Sequence, residues 1–261
     1  MEPVYPKKNV KLLKVIKNRT INDNYYVLEI QADHNVNDIL PGQFVSLLVE
    51  DTRNVFLRRP ISIYDVHPER NSIDLLIQIV GEGTRLLSYL KPDDTVDVLY
   101  PLGKSYSILE SEKKALLIGG GVGVAPLLYL AKKLKANNVD VHILLGGRGA
   151  KNIIETENFK QYGKLYISTE DASVGEKGFV TQHPVLQYAD FDRIYTCGPD
   201  AMMRAVASIA AKNNIDCEVS LENMMACGIG ACLCCVTPTE SGHQCVCTDG
   251  PVFNTKVLQW N

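Results

Sequence analysis

The chain has 261 residues, 46% of them hydrophobic, so it is long enough to bury a sizeable core and to form more than one domain. Its 27 basic and 30 acidic residues leave a formal net charge of -3, which offers no electrostatic attraction to nucleic acid or to an anionic membrane. The charged stretch 1–15 lacks an apolar core and is not expected to act as a secretory signal. We therefore expect a cytoplasmic protein with neither nucleic acid nor membrane as a partner.

Short apolar segments separated by turn-forming residues fill the first hundred residues. This pattern is typical of an antiparallel barrel or sandwich. A helix over 81–90 is expected to interrupt it, because Gly83 and Thr84 begin a run with helical apolar spacing and threonine can cap a helix. The predicted strands cover 12–16, 25–30, 44–49, 56–64, 73–80 and 96–99.

Strands alternate with helices from Lys114 onward, which predicts a parallel sheet covered by helices. The expected fold class is a multi-domain α+β protein. An antiparallel barrel would occupy 1–105, an α/β nucleotide domain 106–221, and a small module 222–261, whose order we expect to depend on metal. The predicted strands are 115–119, 139–145, 165–168, 193–196 and 215–221. One predicted helix ends at 137, and two others cover 181–188 and 201–212.

Six of the eight cysteines lie between Cys227 and Cys247. Cys227, Cys232 and Cys235 have the C-x4-C-x2-C spacing of a plant-type [2Fe-2S] site, and a fourth cysteine follows about a dozen residues later. The intervening glycines permit backbone conformations that let a loop wrap around a cluster. A zinc site, disulfides and inert buried thiols are the alternatives that the spacing leaves open.

An adjacent arginine pair, Arg58 and Arg59, precedes Ser62 at a predicted strand. Two arginines could neutralise a diphosphate, although such a pair is also typical of a solvated strand face. Gly83 and Thr84 begin the predicted helix twenty or so residues later, and free N–H groups at a helix start attract anions. Together these residues predict a two-sided diphosphate site.

A glycine-rich loop from Gly119 to Pro126 follows a predicted strand and opens a helix, which is the setting of a pyrophosphate site. Gly121 and Gly123 begin a G-x-G-x-x pattern, but Pro126 stands where the dinucleotide fingerprint has its third glycine. The loop therefore predicts nucleotide binding without the dehydrogenase type of Rossmann motif.

The chain resembles the ferredoxin-NADP reductase superfamily at four motifs, which are Arg59 to Ser62, Gly81 to Thr84, Gly121 to Pro126 and Cys197 to Pro199. The resemblance implies an FAD-binding barrel and a nicotinamide nucleotide domain, with NAD against NADP undecided. Ile61 stands where the superfamily usually has a tyrosine against the flavin, and a buried strand-end thiol is the plain alternative for Cys197. The implied cofactor-binding residues are Arg59, Pro60, Ile61, Ser62, Leu76, Ile77, Gln78, Gly83, Thr84, Gly121, Gly123, Cys197, Gly198 and Pro199.

Over nearly its whole length the chain is similar to one family, the electron transfer subunits of bacterial type B, NAD-dependent dihydroorotate dehydrogenase. The motif from Cys247 to Phe253 is the most distinctive shared feature. The resemblance implies Cys227, Cys232, Cys235 and Cys247 as cluster ligands, with Cys245 a bystander. Cys234 departs from the family, which usually has glycine there.

That resemblance implies FAD, a [2Fe-2S] cluster and NAD as cofactors, with no catalytic acid, base or nucleophile in this chain. Dihydroorotate would be oxidised by a separate FMN-containing catalytic subunit, since the three domains leave no room for a barrel of roughly 250 residues. We expect a heterotetramer with two copies of each chain. The alternative is an NAD(P)H:acceptor flavin iron-sulfur reductase subunit of the ferredoxin or sulfide dehydrogenase type.

Overall fold

The computed structural model describes residues 9–49, 54–188 and 190–260. Its first part is a closed antiparallel barrel with strand order β1-β2-β5-β4-β3-β6, which confirms the predicted barrel. The first eight residues of the charged stretch 1–15 lie outside the described ranges. The barrel elements are β1 (Asn9–Asn22), β2 (Tyr25–Gln31), β3 (Phe44–Leu47), β4 (Arg59–His67), β5 (Ser72–Gln78), α1 (Glu82–Leu87) and β6 (Thr95–Leu102).

Strand β2 is buried on both faces, which explains its nearly continuous apolar sequence. Successive strand residues point to opposite sides. Tyr26 and Leu28 therefore join the barrel core, whereas Tyr25 and Val27 pack in the core of the next domain. One strand thus contributes to two cores.

The second part is a seven-stranded sheet with order β10-β9-β8-β7-β11-β12-β15. All neighbours are parallel except the last pair, β12 and β15. The predicted parallel sheet is confirmed. Its elements are β7 (Lys114–Gly120), α2 (Ala125–Ala136), β8 (Asp140–Gly147), α3 (Thr156–Lys160), β9 (Lys164–Thr169), β10 (Glu176–Lys177), α4 (Val185–Tyr188), β11 (Arg193–Cys197), α5 (Asp200–Lys212) and β12 (Asp216–Ser220).

Helix α2 joins the sheet to the barrel. Pro126 lies in its first turn, where the missing N–H costs no helical bond. The Tyr129 hydroxyl donates to the Ile39 carbonyl at 3.1 Å, and Lys132 Nζ lies 2.9 Å from Asp65 Oδ1. Because the Tyr129 ring belongs to the barrel core, the two domains pack as one body at this helix.

The last part contains the cysteine loop, a hairpin of β13 (Val236–Thr239) and β14 (Gly242–Cys245), and β15 (Val252–Asn254). Strand β15 pairs antiparallel with β12, so the end of the chain extends the nucleotide-domain sheet. Our sequence patterns missed all three strands because each has only three or four residues, too few to show a period.

Several predicted boundaries were wrong. The strand predicted over 56–64 runs from Arg59 to His67, and the helix predicted over 81–90 covers only Glu82–Leu87. The helix predicted over 181–188 is a 3-10 turn at Val180–Gln182 followed by α4. Pro184 separates these two turns, since proline disfavours a helical conformation at the residue before it. Among the described helices none is long and apolar enough to cross a membrane.

Candidate cofactor and cluster sites

A cavity of about 370 Å³ lies where the barrel, the nucleotide loop and the chain leading to the cysteine loop meet. Strand β4 contributes four consecutive residues to its wall, and β5 contributes three. All seven were predicted flavin contacts, and the cavity brings them together; their role in binding FAD stays a prediction. These residues are Arg59, Pro60, Ile61, Ser62, Leu76, Ile77 and Gln78.

Gly83 forms a cradle for the Arg59 side chain. A Cβ atom at Gly83 would lie 2.6 Å from Arg59 Nε, so a side chain there would displace the Arg59 side chain. The glycine therefore lets the guanidinium lie against the start of α1. A planar cation with several donors at the cavity wall is the group expected to bind a diphosphate.

Arg58 does not share this role, so only one side chain of the predicted arginine pair lines the cavity. Its guanidinium bonds Asp97 Oδ1 at 2.8 Å and the Ser46 carbonyl at 3.2 Å. These bonds hold the Arg58 side chain against β3 and β6, outside the cavity lining. Only Arg59 reaches the cavity.

The Thr84 hydroxyl closes the first turn of α1. It accepts hydrogen bonds from the backbone N–H groups of Val80 and Gly81, at 3.0 and 3.3 Å. The helix is less than two turns long, so its dipole is small, and the predicted anion site depends chiefly on Arg59. Thr84 nevertheless lines the cavity as expected.

The opposite wall consists of residues that the sequence analysis did not assign to a site. Ser220, Leu221, Glu222, Asn223 and Met225 follow the end of β12 and line the cavity. The carboxyl ends of parallel strands form ligand sites in α/β sheets, and this rule could have identified the segment. Phe44, Val80, Val122, Ala125 and Pro251 complete the wall.

Glu222 connects this wall to Cys197. The buried Cys197 thiol donates to Glu222 Oε1 at 3.6 Å. Burial raises the pKa of the Glu222 carboxyl, and burial raises the pKa of the Cys197 thiol well above its usual value. Cys197 therefore stays a protonated thiol, and the Glu222 carboxyl loses its proton less readily than an ordinary glutamate. The buried strand-end thiol considered for Cys197 is observed, and Glu222 is the member of the pair that reaches the cavity wall.

The two predicted nucleotide motifs touch each other. A Cβ atom at Gly123 would lie 2.5 Å from the Gly198 Cα, so the loop packs directly on the Cys-Gly-Pro segment. A Cβ atom at Gly120 would similarly lie 2.9 Å from Pro199 Cδ. Gly121 adopts a positive φ of 57° with open space beside it. Glycine is needed at Gly123 because the backbones pack too closely for a side chain, and it is favoured at Gly121 because of the positive φ.

The predicted cluster cysteines form two pairs of thiols. The Cys232 N–H donates to Cys227 Sγ at 3.4 Å, and the Cys247 N–H donates to Cys235 Sγ at 3.4 Å. Backbone N–H groups also point at the sulfurs: Gly230 donates to Cys247 Sγ at 3.2 Å, and Ile229 and Cys232 donate to Cys227 Sγ at 3.4 Å.

These contacts affect ionisation. Burial acts to raise the pKa of the Cys227 thiol, but the backbone N–H groups outweigh it and lower that pKa to about 6. Donors that stabilise a thiolate suit a metal ligand, since the thiolate is the binding form. Positive φ values at Gly228 and Gly230, 70° and 81°, allow the loop to turn its N–H groups inward.

The donor set fits a two-iron cluster. Within the described ranges, no three side chains of His, Cys, Asp or Glu converge closely enough to hold a single metal ion. A [2Fe-2S] cluster takes four cysteines, and the two thiol pairs provide them. The cavity likewise fits FAD, because it combines an arginine cradle with apolar walls.

The raised pKa of the Glu222 carboxyl predicts a pH-dependent effect on stability. A carboxyl whose pKa is raised by folding does not destabilise the protein at low pH, where it is protonated in both the folded and the unfolded state. As the pH rises above the ordinary glutamate pKa, it lowers the free energy of unfolding. Glu222→Gln removes this destabilisation. The melting temperature of the variant minus that of wild type should therefore be larger at pH 8 than at pH 5.

Thermal unfolding of both proteins at the two pH values measures this effect. Glu240→Gln, at an exposed position, is the matched control and should show no such trend. Equal differences from wild type at pH 5 and pH 8 for Glu222→Gln would contradict the prediction.

Three family models match successive parts of the chain. They are described as an oxidoreductase FAD-binding domain over 12–106, an oxidoreductase NAD-binding domain over 117–208, and the iron-sulfur cluster binding domain of dihydroorotate dehydrogenase B over 222–259. A solved structure of an NADH-dependent reduced ferredoxin-NADP oxidoreductase is also similar, with a TM-score of 0.86 and 29% identity, covering 97% of this chain and 91% of that one.

Curated relatives carry one name, dihydroorotate dehydrogenase B (NAD(+)), electron transfer subunit. The protein from Fusobacterium nucleatum is 39% identical over 247 residues, covering 92% of this chain and 94% of the relative. The protein from Clostridium acetobutylicum is 40% identical over 242 residues, covering 92% and 93%. The chain therefore belongs to the family of electron transfer subunits of NAD-dependent dihydroorotate dehydrogenase B.

Proposed function

We propose that this chain takes electrons from the FMN of a separate dihydroorotate dehydrogenase catalytic subunit and delivers them to NAD+, in pyrimidine biosynthesis. The observation that carries the proposal is the cavity shared by the barrel, the nucleotide loop and the segment leading to the cysteine loop. The proposal keeps three domains, with 1–105 for FAD, 106–221 for NAD and 222–261 for the cluster.

FAD, when bound, exchanges single electrons with an iron-sulfur cluster and electron pairs, as hydride, with a nicotinamide. The chain's part is to hold and orient it. Arg59 would bind the diphosphate, with Gly83 leaving room for the guanidinium. Ser62 and Gln78 offer hydrogen-bonding groups at the wall, and Ile61 provides an apolar surface in place of the usual tyrosine. Pro60, Leu76, Ile77 and Thr84 complete this set.

The nicotinamide nucleotide would lie along Gly121 and Gly123, with Cys197, Gly198 and Pro199 beside them. The backbone at Gly121 is open on one side, so its N–H groups are available to a pyrophosphate. Glu222, whose carboxylate oxygen accepts from the Cys197 thiol, would lie at the cavity wall where the two cofactors meet. NAD is the nucleotide that the family's name supports.

Cys227, Cys232, Cys235 and Cys247 would hold the [2Fe-2S] cluster at the surface that faces the partner. Three large apolar side chains are exposed around this loop: Met224 at 83%, Ile229 at 49% and Leu233 at 61%. Exposed apolar side chains grouped in this way are typical of a protein interface. We propose that the catalytic subunit docks here, in a cytoplasmic heterotetramer with two copies of each chain.

A second candidate is an NAD(P)H:acceptor reductase subunit of the ferredoxin or sulfide dehydrogenase type. The similarity to the ferredoxin-NADP oxidoreductase structure favours it, because that likeness covers nearly the whole chain. The two functions differ in the electron donor. Co-purification with an FMN-containing chain and NAD+ reduction that requires dihydroorotate would support the first; reduction only with ferredoxin or sulfide would support the second.

The adjacent arginines test the FAD site. Arg59→Ala should weaken FAD binding by about 10- to 100-fold, because it removes charge-assisted hydrogen bonds worth about 1.5 to 3 kcal/mol. Arg58→Ala is the matched control, since its guanidinium bonds Asp97 on the other face. Titration of the FAD-free proteins with FAD, followed by flavin fluorescence, measures the affinities. Equal losses in both variants would contradict the assignment.

The apolar surface around the cysteine loop tests the partner site. Met224→Glu should reduce co-purification of the FMN-containing chain at least about tenfold, since it places a charge in the proposed interface. It should leave iron and FAD content unchanged. Phe179→Glu, at a side chain that is 59% exposed on the nucleotide domain, is the control. Full retention of the partner by Met224→Glu would contradict the docking site.

A further inference from the structure

The hydroxyl of Tyr25 borders the open side of the nucleotide loop. Tyr25 is the first residue of β2 and is only 1% exposed, and its ring packs in the core of the nucleotide domain although β2 belongs to the barrel. Apart from neighbours in the chain, the described atom nearest to a Cβ atom at Gly121 would be Tyr25 Oη, at 4.0 Å. A barrel side chain thus reaches the place where the loop is otherwise open.

Asn152 determines which way the hydroxyl proton points. Its Oδ1 atom accepts from the Gly149 N–H at 3.3 Å, so the Nδ2 atom is the one that faces Tyr25, and it donates to Tyr25 Oη at 3.3 Å. A tyrosine hydroxyl that accepts in this bond keeps its own proton for a second partner.

That proton is not used within the protein. Across residues 9–49, 54–188 and 190–260, the Tyr25 hydroxyl donates no hydrogen bond. Buried polar groups are normally hydrogen-bonded, and leaving a buried donor without an acceptor costs free energy. A bound group is therefore expected to accept from this hydroxyl.

The surroundings define the chemistry of that group. Backbone N–H groups of a glycine loop at a helix start attract a diphosphate. An O–H donor on the other side of the same space suits an anionic oxygen, because hydrogen bonds to charged acceptors are short and strong. Tyr25 is also paired with Gln78, which lines the cavity, so the strand that carries the hydroxyl adjoins the proposed flavin site.

We propose that Tyr25 is a nucleotide-binding residue, whose hydroxyl donates to the diphosphate of the nicotinamide dinucleotide at the loop, with Asn152 orienting the hydroxyl. This inference rests on the proposed nucleotide function of the loop. Because Tyr25 belongs to the barrel, the dinucleotide is held by both domains. Its affinity then depends on how the barrel packs against the nucleotide domain.

The test is Tyr25→Phe, which removes only the hydroxyl, in the FAD-loaded and oxidised protein co-expressed with its partner. Binding of NAD+ and of ADP-ribose should each weaken about tenfold, since both ligands carry the diphosphate and the lost bond is to a charged acceptor. Isothermal titration calorimetry measures both affinities without turnover. FAD content and melting temperature should match those of wild type.

Tyr64→Phe is the matched control. Tyr64 is also a barrel tyrosine with 1% exposure, and its hydroxyl bonds Glu155 and Asn158 of the nucleotide domain, at 3.3 Å each. This variant loses a hydroxyl from the same domain contact and should bind NAD+ and ADP-ribose as wild type does. Equal losses in both variants would show that domain packing sets the affinity, and would overturn the proposal.

Unchanged NAD+ and ADP-ribose binding by Tyr25→Phe would also overturn the proposal. Weaker binding of NAD+ alone would place the hydroxyl at the nicotinamide end, and a loss of FAD would place it at the flavin; either result contradicts the diphosphate contact. If Tyr25→Phe does not fold, Asn152→Ala replaces it and should weaken NAD+ binding with FAD retained, and unchanged binding would overturn the proposal. Wild-type protein that binds neither NAD+ nor ADP-ribose would refute the proposed function of the loop first.

Discussion

The path of one segment fixes the distance between the two candidate redox sites. The chain leaves β12 at Ser220, forms a wall of the cavity as far as Met225, and reaches Cys227 two residues later. Two residues span at most about 7 Å, so the cavity wall and the first cluster ligand are held close regardless of the rest of the loop. Asn223 strengthens this link, since it lines the cavity while its amide donates to the Cys235 carbonyl.

The other contacts place the remaining parts around that segment. Gly123 against Gly198 seats the nucleotide loop on the end of β11, and α2 locks the nucleotide domain to the barrel through Tyr129 and Lys132. The Arg19 guanidinium also donates two hydrogen bonds to the Glu155 carboxylate oxygens, at 3.0 and 2.8 Å. These bonds join β1 to the chain before α3. The cavity therefore lies between domains whose relative position is set by packing and ion pairs.

Part of this arrangement follows from local sequence patterns. The barrel and the parallel sheet were predicted because periodicity and turn residues report on strands. The resemblance implied Arg59 to Ser62 and Leu76 to Gln78 as one group, and the pairing of β4 with β5 brings both segments to the cavity. The Cys-x4-Cys-x2-Cys spacing predicted the loop, and the two thiol pairs are its three-dimensional counterpart. The pairing of motifs that are distant in sequence needed the resemblance as well.

What the sequence left undecided depends on the direction in which side chains point. Arg58 and Arg59 are equivalent in sequence, and only the strand register sends one to Asp97 and the other to the cavity. Glu222 and Met225 have no period to identify them, since they lie in an irregular segment.

In the function proposed here, the nucleotide loop, the cavity and the cysteine loop form one electron path. The most direct measurement is anaerobic addition of NADH to the protein co-expressed with its partner, followed by freeze-quench electron paramagnetic resonance and the visible flavin spectrum. We expect the flavin absorbance to fall and the signal of a reduced [2Fe-2S] cluster to appear. Flavin bleaching with no cluster signal, in protein that contains iron and sulfide, would contradict an electron path from the flavin to the cluster.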